Sequence, residues 1–70
     1  MNDTERENIS EINDLRAAIS SFISDAKSLE PIVGVPAVQE IVIARRHLED
    51  ARMRLGVART ILEGNDPYKS

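Results

Sequence analysis

At 70 residues, the chain has room for one domain, near the size at which a single hydrophobic core barely offsets chain entropy. It has no cysteine and one histidine, His47, so neither a disulfide nor a thiolate- or imidazole-rich metal site supplies the missing stability. A net charge of −3 argues against broad duplex nucleic-acid binding and disfavours a small nucleic-acid-binding regulator, and with only two aromatics, Phe22 and Tyr68, the chain is not a base-stacking platform.

The charge is unevenly spread. Residues 1–35 carry three basic against seven acidic side chains, and residues 36–70 carry six against five. A local arginine cluster on an acidic protein suits a small anionic ligand, and it equally suits salt bridges between subunits. No apolar run approaches the roughly 18–20 residues that span a bilayer. The start, MNDTERE, is acidic and polar, the opposite of a secretory signal, so a soluble cytoplasmic protein is expected.

The first helix is expected over about residues 4–29. Thr4 and Glu7 have capping-box spacing. Ile12, Ile19 and Ala26 then repeat every seven residues, with Leu15, Phe22 and Leu29 three positions later, as the expected seam with a second helix. Ile9 and Ile23 widen that stripe. Pro31 ends the helix, because the residue before a proline avoids the α region. The loop, residues 30–35, contains Gly34, which can take positive φ, and the apolar Ile32, Val33 and Val35, expected to pack onto a neighbour or cap the hairpin end.

The second helix is expected over about residues 36–63, with Pro36 as its first residue and Gly64 as its stop, leaving a short tail at 64–70. Ile41, Leu48, Leu55 and Leu62 form one heptad row, and Ala37, Ala44, Ala51 and Ala58 form another. Large residues alternating with alanine let two helices approach closely, so the fold expected is all-α, an antiparallel two-helix hairpin. At 1.5 Å per residue each helix is about 40 Å long. Ile9, Ile23, Val42, Ile43, Met53, Val57 and Ile61 fall outside both seams. An exposed patch of that size marks an interface, so the hairpins are expected to assemble into a homo-oligomeric helical bundle.

The chain contains no glycine-rich phosphate loop, no nucleophile elbow and no Cys–His pair, and its acids are scattered over solvent faces. It reads as a non-enzyme with no cofactor. His47, Glu49 and Asp50 are nearly consecutive and point in different directions around a helix, which argues against a metal site. Arg45, Arg52 and Arg59 lie seven apart, with Arg46 and Arg54 on the same helix. One reading of that row is a set of snorkelling side chains whose stems cover the seam edge and whose heads pair with acids across an interface. The other is a set of guanidinium forks aimed at phosphates in a cleft between subunits. Asn13 and Asp14, mildly unfavourable inside a helix, form either a solvated face or a small polar cluster at a subunit boundary.

Two stretches together carry a resemblance: Ile12-Asn13-Asp14-Leu15-Arg16, and Ala44-Arg45-Arg46-His47-Leu48-Glu49-Asp50-Ala51-Arg52-Met53-Arg54-Leu55-Gly56. The chain resembles the small phage-encoded immune-evasion sponges of the anti-CBASS and anti-Thoeris hairpin family, over roughly residues 9–68. The tail Gly64-Asn65-Asp66-Pro67-Tyr68 is similar to the Asn-Pro-Tyr ending of some members. The resemblance implies a homohexamer of helical hairpins that holds cyclic di- or trinucleotides, or cyclic ADP-ribose isomers, between subunits without cleaving them. It implies that Arg16, following the Ile-Asn-Asp motif, contacts ligand. The candidate ligand-binding set is then Arg16, Asn13, Arg45, Arg52, Lys27 and Tyr68. Arg54 stands where tryptophan is common in the family, and the chain lacks the N-terminal aromatic on which some members stack a base. The alternative function is a structural or adaptor hairpin oligomer with no small-molecule ligand.

Overall fold

A computed structural model of the chain describes residues 2–65. Two helices, α1 (Asp3–Leu29) and α2 (Ala37–Leu62), pack against each other as a helical hairpin. The molecule is a flat slab with extents of 49 × 27 × 11 Å, one helix thick.

The ends of the helices follow local chemistry. α1 is capped by Asn2, whose Oδ1 accepts from the Glu5 backbone N–H at 2.8 Å. The expected Thr4 cap is therefore displaced by two residues. Asparagine caps at least as well as threonine, and Asn2 reaches the first free amide before Thr4 is needed. Asp3 and Glu5 in the first turn and Lys27 in the last complement the helix dipole.

Glu30 stays in the right-handed helical region, and its N–H still reaches the Ala26 carbonyl, although a proline follows it. The helix stops because Pro31 has no N–H to donate to the next carbonyl. In the loop Gly34 does not take positive φ; Gly64 does, at 91°. Beyond α2, the Gly64 N–H reaches Ile61 O and the Asn65 N–H reaches Thr60 O, each at 3.0 Å. These two bonds form a Schellman close that only glycine makes at low cost.

The seam differs from the one expected. Ile23 is the sole buried hydrophobic side chain among the described residues, 4% exposed, and Ile9, Ile12, Arg16, Ile19 and Ala26 beside it are half-buried. Leu15, Phe22 and Leu29 are exposed instead, Phe22 by 58%. On α2 the half-buried rows are Val38, Arg45, Arg52 and Arg59 together with Ile41, Leu48, Leu55 and Leu62. The arginine row thus lies in the seam and the alanine row on its flank, with Ala37 and Ala44 exposed.

The polar residues of α1 explain the choice. Asn13, Ser20 and Glu30 lie on the Ile9–Ile23 side of α1 and accept from Arg59, Arg52 and Arg45 respectively. Rotating α1 to bury Phe22 would carry those acceptors away from the arginines, whose donors would then go unmet. In the loop, Ile32 and Val35 are exposed by 76% and 74%, so the hairpin leaves them uncovered.

With a single buried side chain, Ile23 should dominate the stability of the helix contact. Ile23→Ala is expected to cost about 2–5 kcal/mol in urea unfolding, whereas Ser24→Ala, on an exposed position, should stay within about 0.5 kcal/mol. Comparable losses in the two variants would contradict this seam.

Candidate functional site

The arginine row divides into two parts. Toward the loop, all three nitrogens of Arg45 are engaged. Its Nε donates to Glu30 Oε2 at 2.6 Å, its Nη2 to Glu30 Oε1 at 3.4 Å and its Nη1 to Glu49 Oε1 at 2.5 Å. The hydrogen bonds to Glu30 and then to Glu49 push the Arg45 pKa up, against an opposing effect of burial. Arg45 therefore ties the end of α1 to α2. The sequence reading placed it among the ligand-binding candidates; the structure gives it a structural partnership.

Toward the open end, the balance reverses. Arg52 donates from Nη1 to the Ser20 hydroxyl at 3.2 Å, and Arg59 from Nη1 to Asn13 Oδ1 at 3.2 Å. Both acceptors are neutral, so neither guanidinium is neutralised there. Arg59 Nε lies 3.2 Å from Glu63 Oε1, close enough for an ion pair but too poorly aligned for a hydrogen bond, and that Nε is otherwise without an acceptor.

Arg16 comes across the seam from α1 and lies over Gly56. A β-carbon at position 56 would stand 3.3 Å from both Arg16 Cζ and Nη2, and 3.5 Å from Nε. Gly56 sits four residues after Arg52 and three before Arg59, on the same helical face, so Arg16 enters between the two. Arg16 Nε is buried with no acceptor, and Arg16 forms no ion pair among the described residues.

Three guanidinium groups are therefore gathered along one stretch of the seam, with Glu63 the only carboxylate among the described residues paired to any of them. A buried donor without an acceptor costs free energy that an incoming acceptor recovers. The cluster can grip an anion, above all a phosphate, whose oxygens match the guanidinium fork. The described residues enclose no pocket.

Of the sequence candidates, the structure brings together Arg16, Arg52 and Asn13, the last through Arg59. Lys27 is exposed in the last turn of α1, more than two turns along the helix from Arg16. Tyr68 lies outside the described residues. Arg59, Ser20 and Gly56 were missed as site residues, although Arg59 was visible as the third member of the heptad row. Gly56 carried a signal too, since glycine in a helix interior disfavours the helix and calls for a packing reason. Compared with protein-family models, curated proteins and solved structures, the chain matches none.

The Arg16–Gly56 contact makes a measurable prediction. Gly→Ala inside a helix ordinarily stabilises by about 1 kcal/mol. Gly56→Ala should deliver that gain in an Arg16→Ala background and less of it with Arg16 present, because the new methyl meets the guanidinium. Equal gains in both backgrounds, in a double-mutant cycle read by thermal unfolding, would contradict the contact.

Proposed function

We propose that this chain is a non-catalytic, homo-oligomeric helical hairpin that binds and sequesters cyclic oligonucleotide second messengers. The ligands proposed are cyclic di- or trinucleotides, with cyclic ADP-ribose isomers as a related phosphate-bearing class. Sequestration of such signals in the host cytoplasm would counteract bacterial anti-phage immunity. The observation that carries this reading is Arg16, half-buried over Gly56 with an unmatched Nε donor and flanked by Arg52 and Arg59.

Arg16, Arg52 and Arg59 supply positive charge and hydrogen-bond donors for the phosphates, and Asn13 and Ser20 supply small polar groups beside them. No nucleophile or general base is needed for this work, since holding the ligand lowers its free concentration without breaking a bond. One hairpin encloses no pocket among the described residues, so the ligand is enclosed where a second subunit covers the cluster. The resemblance in the Ile-Asn-Asp-Leu-Arg and Ala-Arg-Met-x-Leu-Gly stretches supports the same ligand class and implies a hexamer. The exposed Leu15, Phe22, Leu29, Ile43, Met53 and Ile61 support association of some kind.

One observation favours the rival, a structural or adaptor oligomer with no ligand: Arg45 spends its whole fork on Glu30 and Glu49. In that reading Arg16 is likewise a bridge, made to a carboxylate of another subunit.

Arg16→Ala separates the two. A hydrogen bond to a charged group is worth about 1.5–3 kcal/mol, so the variant should bind a cyclic dinucleotide roughly ten- to a hundredfold more weakly while remaining assembled. Arg16→Lys should recover part of the loss, because lysine keeps the charge without the planar fork. For the parent, a cyclic nucleotide at 100 times its Kd should add about 2.7 kcal/mol to stability. Loss of assembly in Arg16→Ala, with no cyclic di- or trinucleotide shifting the melting of either protein, would establish the structural role instead.

A further inference from the structure

The hairpin has two unlike broad faces, and their register is readable from its own contacts. Phe22 immediately precedes Ile23, the centre of the α1 seam, and Ala51 immediately precedes Arg52, at the centre of the α2 seam. One residue turns a helix by roughly 100°. Because the helices are antiparallel, flanks displaced in the same rotational sense from the seam fall on the same side of the slab. The row Leu15, Phe22, Leu29 and the row Ala44, Ala51, Ala58 therefore share one face, with Leu48 and Leu55 between them. The arginine partners Asn13, Ser20 and Glu49 lie toward the other face.

Heights along the hairpin follow as well. Arg52 meets Ser20 and Arg59 meets Asn13, so seven residues up α2 correspond to seven down α1. In that register Phe22 stands level with Ala51, Leu15 with Ala58 and Leu29 with Ala44, each within about one residue, or roughly 1.5 Å. Each exposed large apolar side chain of α1 is level with an alanine of α2.

We propose that two copies stack through this face about a two-fold axis parallel to the helices. α1 of each copy then lies antiparallel on α2 of the other, and Leu15, Phe22 and Leu29 fill the spaces left by the alanines. The operation keeps heights, so the large-to-small match within one chain becomes a match between chains. Charge at the rims agrees. Outside the apolar row α1 carries exposed Glu11 and Asp25, and outside the alanine row α2 carries exposed Arg54. In this arrangement Arg54 falls between Glu11 and Asp25. Stacking α1 on α1 of the second copy would instead bring the two acidic α1 rims together, at an energetic penalty. Glu40, nearer the loop, is the one acid on the α2 rim. This mode rests on the homo-oligomer in the proposed function and is independent of its ligand.

The chain has no cysteine, so cross-linking is clean. A Phe22→Cys chain is mixed with a differently tagged Ala51→Cys chain and oxidised, and a Leu29→Cys chain with an Ala44→Cys chain provides a second pair. Both mixtures should give covalent 22–51 and 29–44 heterodimers as the dominant products, with each single chain alone largely uncross-linked. Efficient cross-linking of Phe22→Cys to itself would overturn the arrangement in favour of α1 on α1. Sizing of the unoxidised parent distinguishes the remaining failures. An oligomer without the two heterodimers overturns the stacking mode but leaves assembly standing, and a folded monomer overturns both.

Discussion

The constraint on which the rest of this structure depends is that its two helices meet along a row of arginines. Val38, Arg45, Arg52 and Arg59 occupy the heptad row of α2 nearest α1, with Ile41, Leu48 and Leu55 to one side. Guanidinium groups in a helix contact require acceptors, and Glu30 at the C-cap of α1 with Ser20 and Asn13 within it supply them in order along the seam. Meeting that requirement sets the rotation of α1 about its own axis. It also leaves one buried side chain, Ile23, where a conventional hairpin of this length would have a continuous apolar core.

Two consequences follow from the same rotation. Of the apolar residues that do not reach the seam, Leu15, Phe22 and Leu29 line one flank of α1, where none of the described residues covers them. At the open end Arg16 adds a third guanidinium to those of Arg52 and Arg59, more than the carboxylates of the described residues neutralise. Glu30 and Glu49 neutralise the loop end of the row, and among the described residues Glu63 alone is paired at the other. One face thus favours association with apolar surface and the other favours an anion. These are the two properties that an oligomeric phosphate-ligand trap needs, and neither calls for catalytic chemistry.

Much of the fold was legible in the sequence, and what was not has a physical reason. Pro31, Pro36 and Gly64 marked the helix limits because each acts through its own backbone, independent of any partner. The number and direction of the helices followed from two heptad patterns of equal length joined by one short loop. The choice between the Ile9–Ile23 row and the Leu15–Phe22–Leu29 row did not. Both rows adjoin Ile12, Ile19 and Ala26, and the decision lies with polar pairs some fifteen to forty-six residues apart, which periodicity within one helix cannot register. For the site, Arg16 stood out through the motif around it, whereas its position over Gly56 needed the register of the two helices. Arg45 and Arg52 look alike in sequence; only the placement of Glu30 beside one and Ser20 beside the other separates them.

Native mass spectrometry tests assembly and anion capture together. The chain mass is 7.8 kDa. Sprayed with a cyclic dinucleotide, the protein should appear at an even multiple of that mass, six copies on the proposed reading, carrying intact nucleotide in a fixed ratio to subunits. The same nucleotide should be recovered uncleaved on denaturation. A folded species at the single-chain mass, or an oligomer that takes up neither cyclic di- nor trinucleotides, would contradict it.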